Sequence, residues 1–369
     1  MHQLDLHFDA AYAGSVIAMH AWTTWQGRKS DSSAVTISRY VGAFAAASVL
    51  VLCVAGGRRG VGTDRTSNLS PLPRHGMAMA YDPARRCVVL FGGVNHLLKP
   101  SARYNDTWTW NGQKWTLASR TGPTARIWPS MAADIRNRRM LLFGGSDGKR
   151  CLGDSWYWDG EHWSGLKPEP SPAPRWHFAM ATDQHTQTVV LFGGVDTNTQ
   201  PAVVFGDTWL WDRSAWRHAT DNGPTPRFAH AMAYDPNRGR IVLFGGRTAD
   251  LQPLNDTWEW DGNSWTELRT THAPGHRLLH AMAFDERGHR LILIGGWDAR
   301  EGGARYLPDA WQLKNGDWTK LETAGPPPMR AHFMVDDPRA REVLLFGGYD
   351  DSMVYGDTWV WNGTAWRKR

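Results

Sequence analysis

From Pro73 to the end of the chain, apolar and polar positions repeat every 49 to 52 residues. The clearest anchor is a short apolar run, such as VVLF or LLF, that ends in two glycines and occurs six times. The six glycine pairs are Gly92 and Gly93, Gly144 and Gly145, Gly193 and Gly194, Gly245 and Gly246, Gly295 and Gly296, and Gly347 and Gly348. A period near fifty residues is typical of a propeller blade or a solenoid unit.

The pattern within each repeat predicts four β-strands, labelled A to D. In the fourth repeat, strand A covers 227–235, where large and small residues alternate, and strand B is the apolar run into the glycines. Strand C covers 256–260, and strand D starts near a second tryptophan seven residues after the first. An Asn-Gly or Asp-Gly pair between strands C and D predicts a two-residue hairpin turn in four repeats. The chain is therefore predicted to be all-β.

Charged and aromatic residues recur in phase with the glycines. An aspartate precedes each first glycine by ten residues, and another precedes the first tryptophan of each repeat by two: Asp106, Asp154, Asp207, Asp256, Asp309 and Asp357. An arginine opens five repeats at Arg74, Arg126, Arg175, Arg227 and Arg277, whereas Arg330 is displaced by one residue. Because these residues recur in every repeat, they are interpreted as structural ion pairs and blade core rather than a ligand site.

An apolar strand into Gly-Gly, an aromatic strand and a tryptophan seven residues later resemble the kelch repeat, and the resemblance covers 73–366. It implies a six-bladed β-propeller of four antiparallel strands per blade, with strand A innermost. The blades are placed at about 73–121, 122–172, 173–222, 223–273, 274–325 and 326–369. All six copies are whole and in phase, so the ring is expected to close through side chains alone, with no exchanged strand.

The first seventy residues have a different character. Residues 40–57 form an uncharged run flanked by basic residues, with small residues that suit cleavage after Ala55. Segment 1–57 is therefore predicted to be a signal peptide or membrane anchor, with Met19 as an alternative start, and 58–72 is predicted to be a linker before the propeller at 73–369. A buried core helix is the alternative for the run. This segment predicts a secreted, periplasmic or membrane-anchored protein, associated with membranes only through its N-terminal part.

Composition restricts the classes of function. The 369 residues carry a net charge of +5, which implies no polyanionic partner, and three cysteines are too few for a disulfide framework. The six connections between strands B and C have a summed charge of zero, which makes nucleic acid an unlikely partner.

Three histidines raise the question of a metal site. His230, His280 and His332 occupy one strand A position in blades 4 to 6, where blades 1 to 3 have Met77, Pro129 and Phe178. Since apolar residues fill the same position, packing is favoured, and no metal or other cofactor is predicted. The tryptophans that recur in phase are read as core; Trp128, Trp176 and Trp297 are out of phase.

The most variable part of the repeat is the B–C connection, which is long in blades 1, 3 and 5 and short in the others. Loops on a rigid scaffold commonly carry binding residues, so this rim is the candidate binding face, although the extra residues could merely lengthen a hairpin. The candidate residues are Trp297, Tyr306, Arg103, Tyr104, Arg300, Arg305, His96 and Lys99.

No catalytic constellation is found. The copper ligands, tyrosine–cysteine cross-link and extra domains of galactose oxidase, which contains kelch repeats, are missing from the sequence, as is the sialidase Asp-box spacing. We therefore expect a non-catalytic propeller that binds a protein or carbohydrate ligand outside the cytoplasm. The alternative is a carbohydrate-acting enzyme of the sialic-acid mutarotase type, which shares this fold.

Overall fold

The computed structural model describes residues 70–300 and 305–369. The predicted targeting segment 1–57 and most of the predicted linker lie outside these residues. Within the described ranges, no helix has the length and apolar character needed to cross a membrane.

Six four-stranded antiparallel sheets form the body of the structure, each built from one repeat. From the innermost strand outwards, the first three sheets contain β1 (Ala78–Asp82), β2 (Cys87–Phe91), β5 (Thr107–Trp110) and β6 (Trp115–Ser119); β7 (Ser130–Asp134), β8 (Arg139–Phe143), β9 (Ser155–Trp158) and β10 (Trp163–Leu166); and β11 (Ala179–Asp183), β12 (Thr188–Phe192), β15 (Thr208–Asp212) and β16 (Ala215–Thr220).

The last three sheets have the same order, so the prediction of an all-β six-bladed propeller with four strands per blade is confirmed. They contain β17 (Ala231–Asp235), β18 (Arg240–Arg247), β19 (Pro253–Trp260) and β20 (Trp265–Glu267); β21 (Ala281–Asp285), β22 (Arg290–Ile294), β25 (Ala310–Lys314) and β26 (Asp317–Leu321); and β27 (Phe333–Asp337), β28 (Glu342–Phe346), β29 (Thr358–Trp361) and β30 (Trp366–Lys368).

The long B–C connections of blades 1, 3 and 5 each form a separate two-stranded hairpin. These hairpins are β3 (Val94–Asn95) with β4 (Ala102–Arg103), β13 (Val195–Asp196) with β14 (Val203–Val204), and β23 (Trp297–Asp298) with β24 (Arg305–Tyr306). The blade sheet itself ends before the glycine pair in these blades, and the second hairpin starts directly after it.

The glycine pairs bend the chain at the end of the apolar strand B run, and in blade 4 the pair forms a register shift inside β18. In blade 4, Gly245 and Gly246 have φ values of +63° and +95°, which residues other than glycine rarely adopt. A Cβ on Gly246 would lie 2.8 Å from the carbonyl oxygen of Phe228. Glycine is needed there for both backbone angle and space.

Strand A is shorter than predicted. In blade 4 it begins at Ala231 rather than at Arg227, because Ala229 has a φ of +58° and interrupts the extended backbone. The equivalent residue has positive φ in every blade: Gly76, Trp128, His177, Ala229, Leu279 and Ala331. Backbone hydrogen bonds link neighbours in this series, such as Ala229 N to His177 O at 2.8 Å, and form a collar around the channel.

The predicted two-residue C–D turns were wrong for the four Asn-Gly and Asp-Gly repeats. Trp110 pairs with Trp115, which leaves a four-residue loop, and the side chain of Asn111 accepts hydrogen bonds from the amides of Gln113 and Lys114. Two-residue turns occur instead in blades 3 and 5, where both turn residues have positive φ: Arg213 with Ser214, and Asn315 with Gly316. The number of residues in the turn depends on how far strands C and D pair, and the Asn-Gly or Asp-Gly dipeptide alone does not reveal this.

The apolar core lies between neighbouring blades. The cluster that contains Met79 and Leu90 of blade 1 also contains Leu344 and Phe346 of blade 6. The second tryptophan of a blade donates to the preceding blade through Trp115 to Thr358, Trp163 to Thr107, Trp216 to Ser155, Trp265 to Thr208 and Trp318 to Thr257, at 2.8 to 3.0 Å. The first of these bonds joins blade 1 to blade 6 and closes the ring.

Blade contacts also involve the backbone, so the expectation of closure through side chains alone was wrong. The amide of Arg74 donates to Tyr355 O at 3.1 Å, and the amide of Gly348 donates to Arg74 O at 3.0 Å. The segment that opens each repeat therefore adds a short backbone link to the preceding blade. No strand is exchanged between blades in the described residues.

Candidate functional site

In five blades the arginine and the aspartate that recur in phase form an ion pair with a buried guanidinium, as interpreted from the sequence. The pairs are Arg74 with Asp106, Arg126 with Asp154, Arg175 with Asp207, Arg227 with Asp256 and Arg277 with Asp309, at 2.6 to 2.8 Å. In blade 6 that interpretation was wrong, because Asp357 pairs with Lys368 instead of Arg330. Burial alone would raise the pKa of Asp106, but its bonds to Arg74 outweigh this and leave the pKa below its usual value. Each pair links the opening segment of a blade to strand C of the same blade, and the paired charges are not free for a ligand.

The structure brings two of the candidate rim residues together with a residue that sequence reasoning did not select. Trp297 and Tyr306 face each other across the blade 5 hairpin, and both rings pack on the guanidinium of Arg330. The ring centroids of Trp297, Tyr349 and Tyr306 lie 4.2, 4.8 and 5.3 Å from the Arg330 Cζ. The Tyr306 hydroxyl donates to Asp351 in the blade 6 loop. Burial and this hydrogen bond raise the pKa of Tyr306.

A third candidate, His96, joins this cluster from the blade 1 hairpin. Its Nδ1 lies 2.8 Å from the Nε2 of His75, and the His75 ring lies 4.2 Å from the ring of Tyr349. Burial lowers the pKa of both histidines, and the charge of Arg330 lowers them further. Both imidazoles are therefore neutral at pH 7. We call the group Arg330, Trp297, Tyr306, Tyr349, Asp351, His75 and His96 the rim cluster.

Trp128 and His177 of the collar, together with Trp176, continue the ring contacts of the rim cluster. Trp128 lies 6.0 Å from the ring of His75 and stacks on His177 at 4.1 Å, and Trp176 lies 4.7 Å from His177. Trp128, Trp176 and Trp297 pack against one apolar cluster that contains Phe228 and Leu278. Burial lowers the pKa of His177 to about 3.

The other candidate residues lie outside the rim cluster. Arg103 packs on Gly148 in the blade 2 loop, and Tyr104 lies 4.0 Å under the guanidinium of Arg74. Arg300 is paired with Asp298 at 2.6 Å. Lys99 and Arg305 are exposed on the loops.

Sequence reasoning missed Arg330, Tyr349, Asp351 and His75. One signal was present, since Arg330 is displaced by one residue from the phase of the other arginines. The remaining three residues give no such signal, and His75 of blade 1 meets Tyr349 of blade 6 only after the ring has closed.

The channel is divided by a ring of methionines at one position of strand A: Met79, Met131, Met180, Met232, Met282 and Met334. A cavity of about 120 Å³ lies between this ring and the collar, and one of about 370 Å³ opens at the A–B end. Both cavities are bordered largely by alanine, methionine and aromatic residues.

The three in-phase histidines pack between blades. The ring of His230 lies 5.5 Å from Phe192 of the preceding blade, and that of His280 lies 5.5 Å from Phe244. The ring nitrogens of these histidines make no hydrogen bond of ordinary geometry, and the nearest backbone groups are those of Phe192 for His230, Phe244 for His280 and Ile294 for His332. Within residues 70–300 and 305–369, no group of three or more His, Cys, Asp or Glu residues is placed to hold a metal ion.

Comparison with known proteins agrees with this architecture. The domain described as the KLHDC2/KLHL20/DRC7 Kelch-repeats domain matches residues 202–367. An F-box/kelch-repeat protein of Arabidopsis thaliana is 29% identical over 220 residues, which cover 53% of this chain and 43% of the relative. The chain is a kelch-repeat β-propeller.

The curated relatives are longer than the region that they share with this kelch propeller. The flagellar outer-arm dynein alpha chain of Chlamydomonas reinhardtii is 35% identical over 230 residues, which cover 56% of this chain but 5% of the dynein chain. The matched region spans less than half the length of each relative named here. The solved structure of YjhT covers 79% of this chain and 95% of its own with a TM-score of 0.64, and its 15% identity supports the fold alone. Kelch propellers are in general protein-interaction domains.

Proposed function

We propose that this kelch propeller is a non-catalytic binding module that holds a protein partner on the B–C loops of blades 5, 6 and 1. The observation that carries this proposal is the distribution of exposed apolar side chains. Of the five large ones exposed in the described residues, four lie on B–C connections: Leu97, Leu98, Val203 and Met353. Exposed apolar side chains gathered on one face are typical of an interaction site.

Three of these side chains lie in loops that also carry residues of the rim cluster. Leu97 and Leu98 follow His96 in the blade 1 loop, and Met353 lies in the blade 6 loop with Asp351. Interfaces obtain most of their binding energy from a few buried tryptophan, tyrosine and arginine residues surrounded by apolar contacts that exclude water. Trp297, Tyr306 and Arg330 have this composition and arrangement.

The test compares capture by the full chain and by a triple variant with Leu97→Ser, Leu98→Ser and Met353→Ser. Each side chain is exposed, so the fold and melting temperature should be retained. We expect a host protein captured by the wild type to be lost from the triple variant and kept by a control variant with Gln113→Ser and Thr364→Ser in the C–D turns. A partner retained by the triple variant would place the binding face elsewhere.

A carbohydrate-acting enzyme of mutarotase type is the second candidate. The observation in its favour is the pair His75 and His96, because two neutral hydrogen-bonded imidazoles with one open to solvent can move a proton. Nuclear magnetic resonance measurement of anomeric exchange in N-acetylneuraminate tests this candidate. A rate above the spontaneous one that disappears in His96→Ala would favour the enzyme.

We also propose that the propeller is displayed outside the cytoplasm. The support is the uncharged run 40–57, which lies outside the described residues. Fractionation of the native host, followed by N-terminal sequencing, tests this. Full-length chain in the soluble cytoplasm would contradict the proposal.

A further inference from the structure

Blade 6 differs from the other blades by an offset of one residue. The amide of Gly296 donates to Met329 O, as the amide of Gly246 donates to Arg277 O, so Met329 occupies the position that an arginine occupies elsewhere. Asp357 is bonded to Lys368 at 2.9 Å instead, and the indole nitrogen of Trp359 is buried without a hydrogen-bond partner. Blade 6 therefore keeps its fold without the arginine–aspartate pair of the other blades, and Arg330 takes no part in such a pair.

The offset places Arg330 at the mouth of the channel. Its amide donates to Tyr349 O at 3.1 Å, in a bridging position that His75, Ile127, Trp176, Phe228 and Leu278 hold in the other blades. Its guanidinium is surrounded by the rings of Trp297, Tyr306 and Tyr349, and its side chain is 5% exposed. The aromatic faces attract the cation and fix its orientation.

The charge of Arg330 is poorly balanced. Its Nε is buried without a hydrogen-bond partner, and its nearest carboxylate in the described residues is that of Asp351 at 3.9 Å. The Asp351 side chain is 83% exposed, so solvent weakens this contact. A buried guanidinium without a close anion is unfavourable, and an incoming anion would relieve this cost.

We propose that Arg330 binds a carboxylate of the ligand, and this rests on the proposed function in that the B–C face is the binding face. A guanidinium offers two parallel N–H groups to a carboxylate, and the aromatic rings would shield that contact from water. A carboxylate fits the charge better than a phosphate dianion, because the rim cluster contains one cation, one acidic side chain and two neutral histidines. The carboxylate belongs either to an acidic side chain of a protein or to an acidic sugar.

The experiment measures melting temperatures of the full chain with defined probes at constant ionic strength. The first pair is N-acetylglutamate N-methylamide and its neutral glutamine analogue. The second pair is N-acetylneuraminate and its methyl ester. We expect an acidic probe, but not its neutral partner, to raise the melting temperature, and the responding pair identifies the source of the carboxylate. Equal shifts within both pairs would overturn the inference.

Three substitutions test whether the shift in melting temperature depends on Arg330. Arg330→Met should abolish the shift that the acidic probe causes. Without probe, the melting temperature of Arg330→Met should equal or exceed that of the wild type, whereas Arg277→Met, which breaks a bidentate pair, should have a lower melting temperature. Asp351→Asn removes the competing carboxylate and should tighten binding several-fold. A shift that survives in Arg330→Met, or a destabilisation by Arg330→Met as large as that by Arg277→Met, would show that Arg330 is structural. The melting experiment needs no protein partner. Its failure would therefore count against the role of Arg330, whereas failure of the capture experiment would count against the proposed protein-binding function.

Discussion

At the residue scale, the blades depend on buried polar groups that are either fully paired or neutral. Arg277 makes two hydrogen bonds to Asp309 and a third to Gly295 O, so its charge is balanced inside the protein. His230 is buried against the ring of Phe192, and neither of its ring nitrogens makes a hydrogen bond of ordinary geometry. The first arrangement contributes to stability through pairing, and the second requires the imidazole to stay uncharged.

Arg277→Met should lower the free energy of unfolding by about 3–5 kcal/mol, because it leaves the carboxylate of Asp309 without its partner. Urea denaturation followed by fluorescence measures this loss. Arg150→Met is the matched control, since its guanidinium is exposed and 3.8 Å from Asp147. A loss below about 1 kcal/mol for Arg277→Met, in the range of exposed pairs, would contradict the structural role of the ion pairs.

Acid should destabilise the propeller through its buried histidines. Burial lowers the pKa of His230 to about 3 and that of His332 to about 4, whereas the unfolded chain protonates near pH 6.5. The unfolded state therefore takes up more protons as the pH falls below 6.5, and stability present at neutral pH is lost progressively from there. Each such histidine contributes about 1.4 kcal/mol per pH unit.

His230→Phe tests this mechanism, because Phe178 fills the equivalent position in blade 3. Besides burial, the charges that face His230 are Arg227, Asp256 and His177. Between pH 6.5 and pH 4.5, the free energy of unfolding should fall less in the variant than in the wild type, and the difference should equal about the contribution of one histidine. His162→Phe on an exposed turn should keep the wild-type slope. Identical slopes for His230→Phe and wild type would refute the assignment.

At the element scale, the three long B–C connections are separate hairpins that are independent of the blade sheets. The blade 5 hairpin carries Trp297 and Tyr306 as a cross-strand pair, and the blade 1 hairpin carries His96. Each hairpin starts after a glycine pair and adds no strand to its blade. A binding surface can therefore vary without disturbing the sheets below it.

Trp297→Ala and Tyr306→Ala should each weaken binding of a partner by tenfold or more, because aromatic anchors dominate interfaces. Circular dichroism should show the same β-sheet spectrum in both variants. Arg103→Ala tests how far the surface extends, since Arg103 of the blade 1 hairpin packs against Gly148 of the blade 2 loop, outside the rim cluster. Unchanged affinity in all three variants would move the binding site to the opposite face of A–B and C–D turns.

At the scale of the whole molecule, blades 1 and 6 meet through the same kinds of contact as the other neighbours. The Trp115 indole donates to Thr358 at 2.9 Å, as the Trp265 indole donates to Thr208 at 2.9 Å. A shared apolar core and backbone bonds accompany the first of these contacts. The ring closes without a distinct seam.

Thr358→Val and Thr208→Val should therefore reduce the free energy of unfolding by similar amounts, about 1–3 kcal/mol each, because each leaves a buried indole N–H without its acceptor. Urea denaturation should give one transition in both variants. A loss in Thr208→Val without a loss in Thr358→Val would mean that the ring is open between blades 1 and 6 in solution.

The sequence by itself determined the number of blades, the strand order and the structural role of the arginines and aspartates in five of the blades. These properties follow from short-range patterns that recur six times, so spacing alone shows which residues share a role. The tertiary structure decided the length of the C–D turns, the positive-φ collar and the membership of the rim cluster. His75 of blade 1 meets Tyr349 of blade 6 only because the ring closes, and Arg330 turns to the rim only because Met329 takes its place in the blade. Periodicity identifies the positions that are alike, whereas the site is made of the positions that differ, and packing alone brings those together.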